Sequence, residues 1–179
     1  MDDAAEIATG HLEGEARRLV LADGREVLLR ALRPEDDALY PEFDTHVTDE
    51  DRRLRFLVAL REVPQNQIFR LTHFDRRHAR AYAAIEPGTG RLLGVGRIHQ
   101  LSSDEGEYAV LVRSDLKGLG LGHALMDAVL EGARELGLRS VLGLILRENR
   151  NMIALCRELG FTFSASSEAN LVEARLRLS

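Results

Sequence analysis

The segment Glu107-Tyr-Ala-Val-Leu-Val-Arg-Ser-Asp-Leu-Lys-Gly-Leu-Gly-Leu-Gly-His-Ala-Leu-Met126 constrains this chain more than any other. It reads as a β-strand, a short glycine-rich turn and the start of a long helix. Glycines at 118, 120 and 122 leave the backbone N–H groups there without side-chain cover. A helix start adds unpaired N–H donors and the positive end of the helix dipole. Together these make a cradle for a phosphorylated ligand. Glu107 puts a carboxylate near the start of the strand that feeds the cradle. An anion cradle joined to such a carboxylate points to group transfer from a nucleotide-type cofactor.

The spacing separates this loop from two commoner phosphate loops. A dinucleotide-binding turn needs G-x-G-x-x-G, but here the pattern is G-x-G-x-G and position 123 is His. A Walker A loop carries Lys after its last glycine, whereas Lys117 precedes the glycines. The run Lys117-Gly-Leu-Gly120-Leu-Gly122 resembles instead the acyl-CoA loop of the GCN5-related N-acetyltransferases, Gln/Arg-x-x-Gly-x-Gly/Ala, with Lys in the first place. Asn149 and Ala154-Leu-Cys-Arg-Glu-Leu-Gly-Phe161 resemble the later helix of that family. A closer similarity links Leu21-Ala-Asp-Gly24, Leu32-Arg-Pro-Glu-Asp36, Arg55-Phe56, Arg70-Leu-Thr72 and Gly94-Val-Gly-Arg97 to bacterial protein lysine acetyltransferase domains.

The resemblance implies an α/β acyl-CoA N-acyltransferase fold, with a mixed, mostly antiparallel central sheet flanked by helices. It implies acetyl-CoA as co-substrate, no metal, and a protein carrying lysine as partner; it also admits a homodimer. The family's cofactor surface maps onto Val110, Leu111 and Val112 of the strand. It continues over Lys117, Gly118, Leu119, Gly120, Leu121, Gly122 and His123 of the loop, and reaches Asn149 and Met152 of the later helix. In this family the strand at Tyr108–Arg113 splays from its neighbour, which frees main-chain groups for the cofactor.

Acyl transfer to an amine requires the amine to lose a proton, because a lysine-like ammonium (pKa about 10.4) is no nucleophile. Glu107 is the candidate general base; Asp104 and Glu105 are nearby substitutes acting through water, and Asp115 orders the loop. Many enzymes of this family carry a tyrosine acid where this chain has Cys156. Leu155 and Leu159 mark a buried stripe with Cys156 at its edge, so the thiol reads as packing rather than as acid. Acetylation of a small-molecule amine or an amino acid, or acyl-CoA sensing without catalysis, are the rival readings.

Composition excludes other classes. The 179 residues, 45% hydrophobic, suffice for one core, and a net charge of −5 argues against general nucleic-acid binding. No apolar run is long enough for a membrane helix. The acidic N-terminus has no signal core, and one cysteine allows no internal disulfide, so a cytoplasmic setting is expected. His46, His73 and His99 lack metal-ligand spacing. Of 24 basic residues one is lysine, Lys117, where a cation would face a pyrophosphate. Arg52-Arg53-Leu-Arg55 and Arg76-Arg77-His78-Ala-Arg80 read as solvated faces.

Residues 1–18 read as a polar tail and 19–179 as a single acetyltransferase domain. The expected order runs strand (26–30), helices (34–47, from Thr48, and 65–72), then strands at 79–86, 92–99 and 107–113. A long helix (119–136), a doubly covered strand (140–146), a helix ending near Gly160 and a closing hairpin (161–164, 171–178) complete it.

Overall fold

The structure, a computed structural model, describes residues 16–179. The expected tail therefore lies outside the described residues, apart from its last members. Arg17 and Arg18 differ from that expectation: they begin a strand, β1 (Arg17–Val20), which pairs antiparallel with β2 (Glu26–Ala31). The alternation in β2 is plain, with Val27, Leu29 and Ala31 turned into the core.

The segment read as one helix from Pro34 is split. A 3-10 turn (Pro34–Leu39) is followed by α1 (Tyr40–Thr45). Proline at position 41 again takes an early helical place, where its missing N–H costs nothing. Next come α2 (Asp49–Phe56) and α3 (Gln65–Thr72). Thr48 caps α2 as expected, its hydroxyl accepting the Asp51 N–H at 3.1 Å. The helix stops sooner than its apolar pattern suggests, because Leu57 adopts a left-handed conformation (φ 64°).

The remaining strands are β3 (Ala79–Ile85), β4 (Leu92–Gln100), β5 (Glu105–Val112), β6 (Ser140–Leu146), β7 (Thr162–Ala165) and β8 (Leu171–Arg177). The eight strands form one sheet in the order β1-β2-β3-β4-β5-β6-β8-β7. Every pairing is antiparallel except β5 with β6. Between those two parallel strands runs α4 (Leu121–Glu135), and α5 (Arg150–Glu158) connects β6 to β7.

Two apolar clusters lie on opposite faces of the sheet. The larger joins α4, α5 and the inner strands; the smaller lies under the 34–74 helices. Leu121, Leu125, Met126, Val129 and Ala133 bury the expected stripe of α4, each worth about 1.5–3 kcal/mol where the side chain is large. The helix approaches β4 closely because that strand offers glycines beneath it. A Cβ at Gly94 would stand 2.9 Å from Leu125 Cδ1, and one at Gly96 3.0 Å from Val129 Cγ2. Of the basic runs, the first is not a solvated face. Arg52 is 3% exposed and ties α1 to α2, its Nε donating to Asp44 Oδ1 at 2.9 Å.

Candidate active site

β5 and β6 pair only at Glu105–Ser140, Gly106–Val141 and Glu107–Leu142. Beyond Glu107, β5 stays with β4 and β6 stays with β8. The two strands thus part like a fork, and the edge of β5 from Tyr108 to Val112 faces a cleft of about 730 Å³ rather than β6. This is the expected splay. It also corrects the reading of β6 as covered on both faces: Leu144 is 38% exposed and lines the cleft. Its apolar side chain remains for a ligand to cover.

One end of the cleft is built from main chain. Val110, Leu111 and Val112 line it, with Gly118, Gly120 and Gly122 across the turn. Gly118 (φ 78°) and Gly120 (φ 94°) occupy the left-handed region that a side chain resists, and open space lies where their Cβ atoms would be. Gly120 begins α4, whose first intrahelical bond is from Ala124 N to Gly120 O at 3.1 Å. The N–H groups of Leu121, Gly122 and His123 precede that bond and leave the helix end as donors. The side chains of Leu119 and Leu121 pack with the core instead, so any part they play at the cleft is through backbone. Asn149 caps α5, its Oδ1 accepting the Met152 N–H at 3.2 Å, and both residues line the cleft. An anion cradle, an unpaired strand edge and an exposed apolar wall fit the phosphates, amide arm and carbon chain of acetyl-CoA.

Lys117 lines the cleft, but its ammonium is already engaged with Asp51 Oδ1. Asp51 is 6% exposed, and its other oxygen accepts the Ser114 hydroxyl at 2.5 Å. This carboxylate therefore ties α2 to the loop that carries the glycines. No sequence signal marks it, since Asp51 reads as an ordinary first-turn acid.

The other end is built from side chains. Glu107 is half-buried at the fork, and His99 on β4 stands opposite it in register, Nε2 to Oε1 at 3.7 Å. Burial is the main cause that holds the His99 pKa below its usual value, with Arg97 and Arg55 adding to it and Glu107 opposing. His99 was absent from the candidates by sequence. Counting outward from the Ser102–Gly106 turn would have found it, because hairpin register places 99 against 107. Asp104 and Glu105, the suggested substitutes for Glu107, do not line the cleft: Glu105 pairs with Arg175, and Asp104 faces Arg139 at 3.8 Å. Asp115 meets Arg113 at 3.2 Å, in keeping with a role in ordering the turn.

Arg55, from the last turn of α2, lines the cleft with Glu107. Its guanidinium stacks on Phe56 at 4.5 Å. Burial first, then the like charge of Arg97, lower its pKa to about 10, while Tyr40 and Glu107 act in the opposite sense.

Beneath the fork, the Tyr108 ring fills the space left by Gly143; a Cβ there would stand 2.3 Å from Tyr108 Cε1. The Tyr108 hydroxyl lies 3.1 Å from Cys156 Sγ. Burial pushes the thiol up to about 11 and the phenol well above its usual value, so both are protonated at neutral pH. Cys156 is fully buried and does not line the cleft.

Comparison with known proteins agrees with this architecture. Residues 26–162 match the family model described as an acetyltransferase (GNAT) domain. The acetyltransferase PA5475 of Pseudomonas aeruginosa is 34% identical over 154 residues, 84% of this chain and 82% of the relative. The L-methionine sulfoximine/L-methionine sulfone acetyltransferase of Pseudomonas paraeruginosa is 34% identical over 110 residues, 58% of this chain and 64% of the relative. Among solved structures, the GNAT domain of S. lividans PAT superposes with a TM-score of 0.85 at 26% identity, covering 91% of this chain and 97% of that one. The forked sheet and glycine-started helix are thus those of an enzyme class, and the chain belongs to the GNAT acetyltransferase family.

Proposed function

We propose that the enzyme transfers an acetyl group from acetyl-CoA to a primary amine by direct attack, with Glu107 as general base. Acetyl-CoA supplies the acyl group activated as a thioester. The N–H donors from Gly118 to His123 hold its phosphates, with Lys117 exchanging Asp51 for the new anion. The free edge of β5 at Val110–Val112 pairs with its amide arm, and Asn149 and Met152 border the same path.

The observation that carries the reading is the place of Glu107: the last residue of β5 paired with β6, at the point where the cleft opens. A carboxylate there can take the proton from an incoming ammonium, directly or through one water. His99, held neutral by its surroundings, stands ready to accept a share of that proton. Cys156 has no face on the cleft, so solvent protonates the departing thiolate. The buried free thiol also fits a reducing, cytoplasmic setting.

Both a protein lysine and a free amino acid have support. The backbone likeness to the S. lividans PAT domain favours the first, as does the resemblance read in the sequence. The methionine sulfoximine relative favours the second. Both offer an amine with the same proton to lose. Glu107→Gln keeps the shape and removes the base. CoA release with a responsive amine should fall by about 10²–10⁴-fold, with acetyl-CoA affinity nearly unchanged. Wild-type turnover of that variant across the pH range would reject Glu107, and no CoA release by wild type with any amine would reject the enzyme reading.

A further inference from the structure

The arginines of this molecule follow a rule with two exceptions. Among the described residues, the other buried or half-buried arginines each meet a carboxylate within 4 Å. Arg30 reaches Asp36 at 2.7 Å, Arg52 reaches Asp44 at 2.9 Å and Arg53 reaches Glu50 at 2.8 Å. Arg80, Arg113 and two more behave alike. Arg55 and Arg97 do not. Arg97 donates to the Leu71 carbonyl at 3.2 Å and stacks on Phe74 at 5.5 Å. Arg55 has the Phe56 ring and no hydrogen bond to a described residue.

The charge of Arg97 is near enough to lower the Arg55 pKa, after burial, so two guanidiniums stand near one another with no carboxylate paired to either. Tyr40 does not supply one. Burial raises its pKa to about 12, and it stays a neutral phenol. The Glu107 charge opposes the lowering of the Arg55 pKa, but the two make no ion pair within 4 Å. Leaving cations half-desolvated and unpaired is costly, and proteins avoid it unless a ligand completes the pair.

We infer that the acceptor is a free α-amino acid, whose carboxylate docks on Arg55 while its amine faces Glu107. The inference rests on the proposed role of Glu107 and names the substrate class of the same site. Of the pair, Arg55 lines the cleft and is the contact residue. Its planar fork matches two carboxylate oxygens, which an ammonium or amide cannot. Arg97 stands behind it on β4, in register with Ala109 and two residues from His99. It adds charge to the pocket without facing the cleft. In the sequence both fall in runs that resemble protein lysine acetyltransferase domains, Arg55-Phe56 and Gly94-Val-Gly-Arg97, but nothing there marks either arginine as lacking a carboxylate partner.

The test compares wild-type acetylation of leucine, of 3-methylbutylamine (leucine without its carboxylate), of leucinamide and of a lysine-containing peptide blocked at both ends. Leucine stands for the class, and the panel is repeated with methionine and glutamate. The best amino acid should exceed its decarboxylated and amidated analogues by at least about 30-fold in kcat/KM, the low end for a lost buried charge contact. Arg55→Gln should raise KM for that amino acid by a similar factor and leave KM for the plain amine unchanged, with the acetyl-CoA thermal shift intact. Arg55→Lys, which keeps the charge but not the fork, should fall between. Equal turnover of amino acid and plain amine, or faster turnover of the blocked lysine peptide, would overturn the inference. So would an Arg55→Gln defect that is the same for both small substrates. Failure of the base reading is seen separately: Glu107→Gln would then retain turnover with every amine, whatever the preference for a carboxylate.

Discussion

The two ends of the cleft are made of different materials. The end at the start of α4 is main chain: free N–H groups of a glycine turn, a helix terminus and an unpaired strand edge. The end at the fork is side chain: Glu107, with His99 opposite it across a hairpin, and Arg55 reaching in from α2. Main-chain recognition tolerates almost any neighbouring sequence, provided the backbone bends correctly. Side-chain recognition can be rebuilt by a few substitutions. A fold that keeps one co-substrate while changing the other is best served by this division.

The sharpest way to break the comparison is at the main-chain end. Gly120→Asp puts a side chain and a negative charge where φ is 94° and the cradle is open. Acetyl-CoA at 100 times its Kd stabilises a protein that binds it by about 2.7 kcal/mol, and this variant should lose that gain in a thermal-shift titration. The stability of the unliganded protein should fall by a further ~1–2 kcal/mol, since aspartate tolerates left-handed backbone less well than glycine. A full ligand-induced shift in the variant would move the cradle elsewhere.

That loop is also the part of the site most legible in sequence. Glycine spacing fixes backbone conformation locally, so Gly118–Gly122, the capped start of α5 at Asn149 and the stripe on α4 can all be read without a fold. The strands from 79 onward were legible for the same reason, because alternation and turn residues are local. Illegible features were those set by distant partners. Nothing near Asp51 in sequence announces that it will hold Lys117 and Ser114, sixty-odd residues on. Leu144 looked like a doubly buried strand residue because periodicity cannot report that a neighbouring strand has departed. Arg52 and Arg55 lie three apart in one helix, yet one is a structural tie and the other lines the cleft. Their difference is decided by what packs above each.

A smaller effect sharpens the side-chain end. The folded protein holds the His99 pKa below the 6.5 of the unfolded chain. The unfolded state therefore binds its proton more readily, and stability falls as pH drops below about 6.5. Above that pH the contribution is complete. His99→Gln should flatten this part of the melting temperature against pH relative to wild type, by less than about 1.4 kcal/mol per pH unit. Identical slopes in the two proteins would show that His99 ionises freely.

The smallest effect on chemistry is expected beneath the fork. Cys156→Ala removes a buried sulfur and leaves the Tyr108 hydroxyl without its partner. It should cost about 1–2 kcal/mol in denaturant unfolding and leave turnover within a few-fold. With a pKa of about 11, the folded thiol should resist alkylation at pH 8, where roughly one in a thousand is thiolate. A tenfold loss of rate without a change in acetyl-CoA affinity would make the thiol part of the chemistry.

If one cleft is divided between cofactor and acceptor, the division should be visible in amide spectra of the protein titrated with acetyl-CoA. The backbone N–H signals of Gly118, Gly120, Gly122 and the Val110–Val112 edge should move with saturation. Those of Phe56 and His99 should stay near their starting positions until an acceptor amine is added. Saturable shifts centred on the α2 end, with the three glycine amides unmoved, would contradict it.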